Sequence, residues 1–284
     1  QESEDAAVLC RMGERLRLAA DGTQALWQDG ELWIDGVRAA ERFGLLTGET
    51  EDGVLYFARP QNTDLPTPNV NVPILMYHAV GDDCWGEESL FVKPEELEKQ
   101  LQYLSENGYE TIFFEDLSHI EQYEKPVLLT FDDGYDDNAE TLLPLLRKHG
   151  MKATIFLIAG DVGKPHKLTR AQLTELVQSG LVSIQSHGWS HRNMAALSPL
   201  ALLWELVRSQ SAIFTLTGRF PVALSYPNGN SSARTRKIAS WFYTYGVRTC
   251  AGVYETGSDP LLIERITISR DTTLDEFKRE LEIP

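Results

Sequence analysis

LLTFDDGYDDN, residues 128–138, is an apolar run that stops at two adjacent carboxylates followed by a glycine. Asp and Gly are common turn residues and Gly134 can supply a positive φ, so the stretch taken alone reads as a surface turn. Its surroundings decide otherwise. Similar apolar runs recur at PILMYH (73–78), YETIFF (109–114), PVLLTF (126–131), KATIFLI (152–158), LVSIQ (181–185), PVALSY (221–226), VRTC (247–250) and RITIS (265–269). Between many of them lie amphipathic segments ending in Gly, such as PEELEKQLQYLSENG (94–108), AETLLPLLRKHG (139–150) and TRAQLTELVQSG (169–180). Strands apolar on both faces that alternate with helices predict a parallel sheet. About eight such repeats predict an α/β fold, a deformed (β/α) barrel of seven to eight parallel strands over residues 73–284. In such a barrel the chemistry lies at the C-terminal strand ends, which puts Asp132 and Asp133 on the active rim.

The segment before residue 73 has a different texture. QNTDLPTPNVNV, 61–72, is polar with two prolines and reads as a linker. Ahead of it, LRLAA (16–20), QALWQ (24–28), ELWIDG (31–36) and VLYFA (54–58) predict short strands with tight turns, and VRAAERFG (37–44) predicts a helix. Residues 1–60 are thus expected to form a small β-rich module.

Composition narrows the function. The chain of 284 residues carries 26 Lys plus Arg against 42 Asp plus Glu, a net charge of −16. That charge repels nucleic acid and anionic membrane surfaces, so a neutral or cationic substrate fits better. Cys10, Cys84 and Cys250 include no CxxC pair and indicate neither a disulfide framework nor a cysteine zinc site. No apolar run is long enough to span a bilayer. The first residue, Gln1, shows no signal-peptide pattern, and its not being Met is compatible with a secreted chain whose leader has been removed.

A second strand ends in unusual chemistry. LVSIQ runs into SHGWSH, 186–191, with His187 and His191 four residues apart directly after a strand. Two imidazoles and one carboxylate from a neighbouring strand end form a set that holds a catalytic divalent ion and leaves a position open for water. One carboxylate of the Asp132–Asp133 pair is then expected to ligate the ion and the other to act as a base. DDGYDDNAETLL lacks the alternating Asp and the sixth-position Gly of an EF-hand loop. His119, His149 and His166 have no partners at ligand spacing and read as solvated.

TFDDG, then SHGWSH, then TGRFPVALSYPNG (217–229) together resemble the polysaccharide deacetylases, the NodB-homology or family-four carbohydrate esterases. The resemblance covers nearly all of residues 72–284. It implies a divalent metal, most often zinc, and hydrolysis of N-acetyl groups from amino sugars of a glycan in the cell wall or outside the cell. It implies Asp132 as catalytic base and Asp133, His187 and His191 as metal ligands. The departures are informative. Gly188 stands where the family usually has Ser or Thr, and Ser225 stands where it commonly has an Arg that braces the base. Asn228 takes the position whose backbone N–H helps hold the oxyanion. Bracing must then come from elsewhere, with Arg265 and Arg248 as candidates.

The family's late Leu-x-His acid is absent, since no His follows His191. PILMYHAV resembles the poly-N-acetylglucosamine deacetylase branch, in which an early Met-Tyr-His strand replaces the late one, and this implies His78 as the acid. Trp189 and Tyr226 are aromatic candidates for a sugar-binding groove. ELWIDGVRAAERFGLLTGETEDGVLYF, 31–57, is similar to copper amine oxidase-like N-terminal modules, which implies a spacer or wall-associating role. The expected partner is an N-acetylated glycan rather than nucleic acid, and the expected location is extracellular or cell-surface. Competing readings are a glycan-binding barrel with little or no catalysis, and a hydrolase of O-acetyl esters or small amides.

Overall fold

The computed structural model describes residues 69–282 and the backbone of six short strands nearer the N terminus. The chain divides into two compact units, Gln1–Gln61 and Asn62–Pro284. In the first, Ala6–Arg11 pairs with Glu14–Ala19, Ala25–Gln28 with Glu31–Ile34, and Leu46–Glu49 with Leu55–Ala58, each antiparallel. The helix expected at 37–44 lies outside the described residues.

The second unit is a curved, parallel sheet wrapped by helices. Its strands are β1 (Ile74–Tyr77), β2 (Glu110–Thr111), β3 (Pro126–Asp133), β4 (Ala153–Leu157), β5 (Val182–Ser186), β6 (Ala223–Ser225), β7 (Tyr245–Val247) and β8 (Ile266–Thr267). They are ordered β7-β6-β5-β4-β3-β1-β8, with β2 on β3. Helices α1 (Pro94–Glu106), α2 (Leu143–His149), α3 (Arg170–Gln178), α4 (Pro199–Thr217), α5 (Ala233–Ala239) and α6 (Leu274–Leu281) complete the layer. The closing segment touches both edges: Ile263 bridges to Val247, while Ile266 and Thr267 pair with Leu75 and Met76.

Three expected elements change. YETIFF forms a strand only at Glu110–Thr111, and its last residue, Phe114, opens a 3₁₀ segment running to Gln122. The strand expected at VRTC lies earlier, at Tyr245–Val247. The linker expected to run to residue 72 ends in a strand, since Asn71–Val72 pairs with Tyr254–Glu255. Buried Val72 and the Thr256 N–H, which donates to the Val70 carbonyl at 2.9 Å, tie that segment to the barrel.

Alternation along the strands sets the site. Leu75, Tyr77, Leu129 and Phe131 join the core shared with α1, α2 and α6, while Ile74 and Leu128 join a second core with Phe156, Tyr245 and Val247. Tyr77 stacks on Phe131 across the β1–β3 pair, with ring centroids 4.9 Å apart. Side chains alternate by two along a strand, so Asp132 lies on the same side of the sheet as Leu128. All eight residues of β3 are buried.

Candidate active site

The apolar run of β3 ends on carboxylates because the chain turns there. Asp133 takes φ 76° and Gly134 takes φ 68°, both left-handed. A side chain at Gly134 would also collide with Leu157, its Cβ falling 2.6 Å from Cδ1. The turn separates the two carboxylates. Asp132 goes to Arg265, whose Nη1 and Nη2 donate to its two oxygens at 2.8 and 2.7 Å. Asp133 goes to the histidines, with Oδ1 3.4 Å from His187 Nε2 and 3.6 Å from His191 Nε2.

Arg265 is fully buried, and each of its N–H groups has a partner. Besides Asp132 it donates to the Arg248 carbonyl, Thr130 Oγ1 and Ser225 Oγ. The Ser225 hydroxyl in turn donates to Asp132 Oδ2 at 3.0 Å. The short side chain at the third-motif position thus leaves room for a guanidinium arriving from the closing segment. Arg248 does not reach the site with its side chain, which pairs with Glu264. Burial pushes the Asp132 carboxyl up, but the Arg265 charge and hydrogen bonds outweigh it and hold the group down at about 2.

On the neighbouring strands, β5 delivers His187 and the loop beyond it delivers His191. His187 is buried, and its Nδ1 sits 2.7 Å from the Ser225 carbonyl. Donation to that carbonyl fixes the tautomer and leaves the Nε2 lone pair facing Asp133. Glu205, buried on α4, accepts from the N–H groups of Trp189 and Ser190 and from the Ser190 hydroxyl. Gly188 has φ 78°, and an added Cβ would fall 2.7 Å from Met194 Cε, which accounts for Gly at this place. Nothing in the sequence pattern singled out Glu205, because its role depends on which face of α4 meets the loop.

The donor atoms of Asp133, His187 and His191 all lie within 4.8 Å of one another. Asp133 Oδ1 is buried with no hydrogen-bond partner. Two ligands each about 2.1 Å from a tetrahedral ion stand about 3.4 Å apart, close to the two Asp133–histidine spacings seen here. The mixed N and O donors fit a divalent ion of the zinc type. Burial pushes the Asp133 carboxyl up, but the neighbouring His187 imidazole outweighs it and holds the group well below the usual carboxylate range. Burial opposes a charge on His187, and the two aspartates reverse this and raise it. His191 is lowered by burial and by His187. Tyr135, whose hydroxyl donates to Asp133 Oδ2 at 2.8 Å, is raised by burial and by that carboxylate.

His78 follows β1 on the same rim. Tyr77 pairs with Phe131, so His78 comes level with Asp132 on the adjacent parallel strand. The Asn138 amide, from the turn after β3, donates to the His78 carbonyl at 3.2 Å. Burial lowers His78, opposed by the charges of Asp132 and Asp133. Asn228 sits exposed in a 3₁₀ turn with φ 56°, beside Ser225 and its link to His187.

One aromatic reading is corrected. Tyr226 is 0% exposed and its ring packs over Gly246, so it offers no face to a groove. Trp189 packs beside Gly160, and the Arg208 guanidinium lies 4.2 Å from its ring centroid. His149 and His166 are also partnered rather than simply solvated, His149 lying 3.7 Å from Glu98 and His166 stacking on Trp85.

The chain is similar to known proteins. The family model for polysaccharide deacetylase matches residues 119–245. YxkH of Bacillus subtilis (strain 168), whose name gives polysaccharide deacetylase only provisionally, is 35% identical over 217 residues, covering 74% of this chain and 76% of that one. The poly-beta-1,6-N-acetyl-D-glucosamine N-deacetylase of Escherichia coli (strain K12) is 27% identical over 208 residues, 64% of this chain and 31% of that one. A crystal structure of a polysaccharide deacetylase from Bacillus cereus matches with a TM-score of 0.72 at 25% identity, covering 94% of this chain and 82% of that one. The chain belongs to the polysaccharide deacetylase family and is an enzyme of that class.

Proposed function

We propose that this chain removes N-acetyl groups from amino-sugar residues of a cell-wall or extracellular polysaccharide, using a divalent ion, zinc by its donor chemistry. Asp133, His187 and His191 would hold the ion. The observation that carries the reading is the buried, unpartnered Asp133 Oδ1 facing two imidazoles, next to a second carboxylate held by an arginine fork. The activity named for the E. coli relative supports an acetylated amino-sugar polymer as substrate.

When bound, the ion supplies Lewis acidity, polarising the acetyl carbonyl and making water acidic enough for a weak base to serve. Asp132 is that base, kept ionised and oriented by Arg265 and Ser225. His78, level with Asp132 on the next strand, gives a proton to the departing amine nitrogen. The Asn228 backbone N–H donates to the oxygen that gains charge. A missing third-motif arginine favours a glycan-binding barrel without catalysis, and the grip of Arg265 on Asp132 removes that reason. We read residues 1–60 as a spacer or wall-associating module. Among the described residues, no helix is long and apolar enough to cross a membrane.

The test is acetate release from chitooligosaccharides, poly-N-acetylglucosamine, peptidoglycan and acetylated xylan, side by side with elemental analysis. Wild-type protein should hold about one zinc-like ion and favour an N-acetylated glycan, and His187→Ala should lose the ion. Asp132→Asn should keep it and lose at least about a hundredfold in turnover. Full metal content in both His187→Ala and His191→Ala would remove the site, and a preference for acetylated xylan would replace the amide reading with an ester one.

A further inference from the structure

The loop that leaves β1 just beyond His78 carries Trp85, and this tryptophan stands in an unusual setting. It is 42% exposed, yet three aromatic rings hold it. Phe91 and Tyr135 meet it in T-shaped contacts at 5.0 and 4.9 Å between centroids, and His166 lies flat against it at 4.2 Å with an interplanar angle of 13°. Tyr135 is the residue whose hydroxyl donates to Asp133. A single tyrosine ring therefore separates Trp85 from a carboxylate of the candidate metal site.

Both sides of this arrangement are fixed by the backbone. The Arg270 guanidinium donates to the carbonyls of Gly81, Asp82 and Phe91, clamping the base of the Trp85 loop. His166 is held from the other side: Tyr135 and Lys167 form a β-bridge, and the Leu168 N–H donates to the Gly134 carbonyl at 3.0 Å. His166 has φ 58°, a left-handed conformation costly for a non-glycine residue and one that recurs at ligand-binding sites. Packing against Phe91 and Tyr135 explains what anchors the indole. It does not explain why so much indole is left in water beside the site, or why a strained residue is spent on stacking against it.

We propose that Trp85, backed by His166, is a sugar-stacking subsite that takes the glycan residue next to the one whose amide faces Asp132. A hexosamine ring has a face of C–H groups, and a flat indole buries such a face with little loss of side-chain freedom. Asp82, Asp83, Glu87 and Glu88 on the same loop are exposed. Their charge admits neutral N-acetyl sugars and amine-bearing products and disfavours uronic acid or phosphate-bearing glycans. The assignment rests on the glycan substrate proposed above.

The probes are N-acetylglucosamine oligomers, dimer to hexamer, in β-1,4 and β-1,6 linkage. KM and kcat are measured with the metal-loaded full chain, and direct binding by titration calorimetry. Trp85→Ala should raise KM for the tetramer about tenfold with a smaller change in kcat, Trp85→Phe should recover most of it, and metal content should not change. His166→Ala should raise KM in the same direction. Wild-type KM and affinity in Trp85→Ala would overturn the subsite while leaving the deacetylase reading standing. Loss of metal in Trp85→Ala would overturn it too, by making the residue structural. Wild-type protein that binds oligomers through Trp85 but releases no acetate would keep the subsite and reject the deacetylase reading. Absence of both binding and turnover with either linkage would overturn the subsite.

Discussion

Arg265→Gln is the perturbation with the largest worked consequence. The guanidinium and Asp132 are both buried, at 0% and 3% side-chain exposure, and meet through two charge-assisted hydrogen bonds. The carboxyl is held at about 2 rather than 3.8, which corresponds to roughly 2 kcal/mol favouring its charged form. Removing one partner of such a pair leaves an uncompensated buried charge and costs roughly 3–5 kcal/mol. The sign in pH follows. Because the folded carboxyl is depressed, the pair's stabilisation is fully present above the ordinary carboxylate range and is lost as pH falls from about 4 towards about 2. Urea denaturation of wild type, Arg265→Gln, Asp132→Asn and the double variant gives the coupling, expected at about 2 kcal/mol or more. Turnover should fall with it, since Asp132, the proposed base, loses its orientation. A loss below about 1 kcal/mol in Arg265→Gln, or an equal loss in the Asp132→Asn background, would refute the claim that the fork holds this carboxylate.

Glu205→Gln should weaken metal affinity by roughly 10–100-fold without removing a ligand, because two N–H groups of the ligand loop lose a charged acceptor; chelator competition reads this directly, and unchanged affinity refutes it. Gly188→Ala should cost roughly 1–2 kcal/mol in urea unfolding, from the left-handed backbone together with the Met194 contact. If His78 is the acid, kcat should fall with rising pH on a limb that is absent in His78→Gln. Burial puts that limb on the acid side of an ordinary histidine, and a limb that persists in His78→Gln assigns the proton to another group.

The barrel was legible because parallel strands buried on both faces leave long apolar runs, and β3 is the extreme case. Short strands were harder to bound. At β7 and β2 pairing extends over only two or three residues, so apolar pattern and hydrogen-bonded register diverge. The Asp133, His187 and His191 cluster could be assembled from strand ends alone, since each follows an apolar run or lies four residues beyond one that does. Glu205, Tyr135 and His166 could not. Their places depend on how α4 packs and on the β-bridge between residues 135 and 167, contacts that no local spacing encodes. Tyr226 misled because exposure was inferred from its place in a loop motif, whereas Gly246 opens a slot that accepts the whole ring.

The substitution at the third motif makes physical sense only with barrel closure. Ser225 does three things at once: its hydroxyl donates to Asp132, the same hydroxyl accepts from Arg265, and its carbonyl meets His187 Nδ1. A long side chain at that place would occupy the volume the guanidinium fills from the other side. The arginine that grips Asp132 comes instead from the segment that closes the barrel, where Ile263 bridges to β7 and Ile266 pairs with β1. One consequence is that Asp132 and His78, the proposed base and acid, share a mechanical support. Loosening the β8–β1 edge would displace Arg265 from Asp132 and shift the strand end that carries His78, so closure and proton transfer are expected to fail together rather than separately.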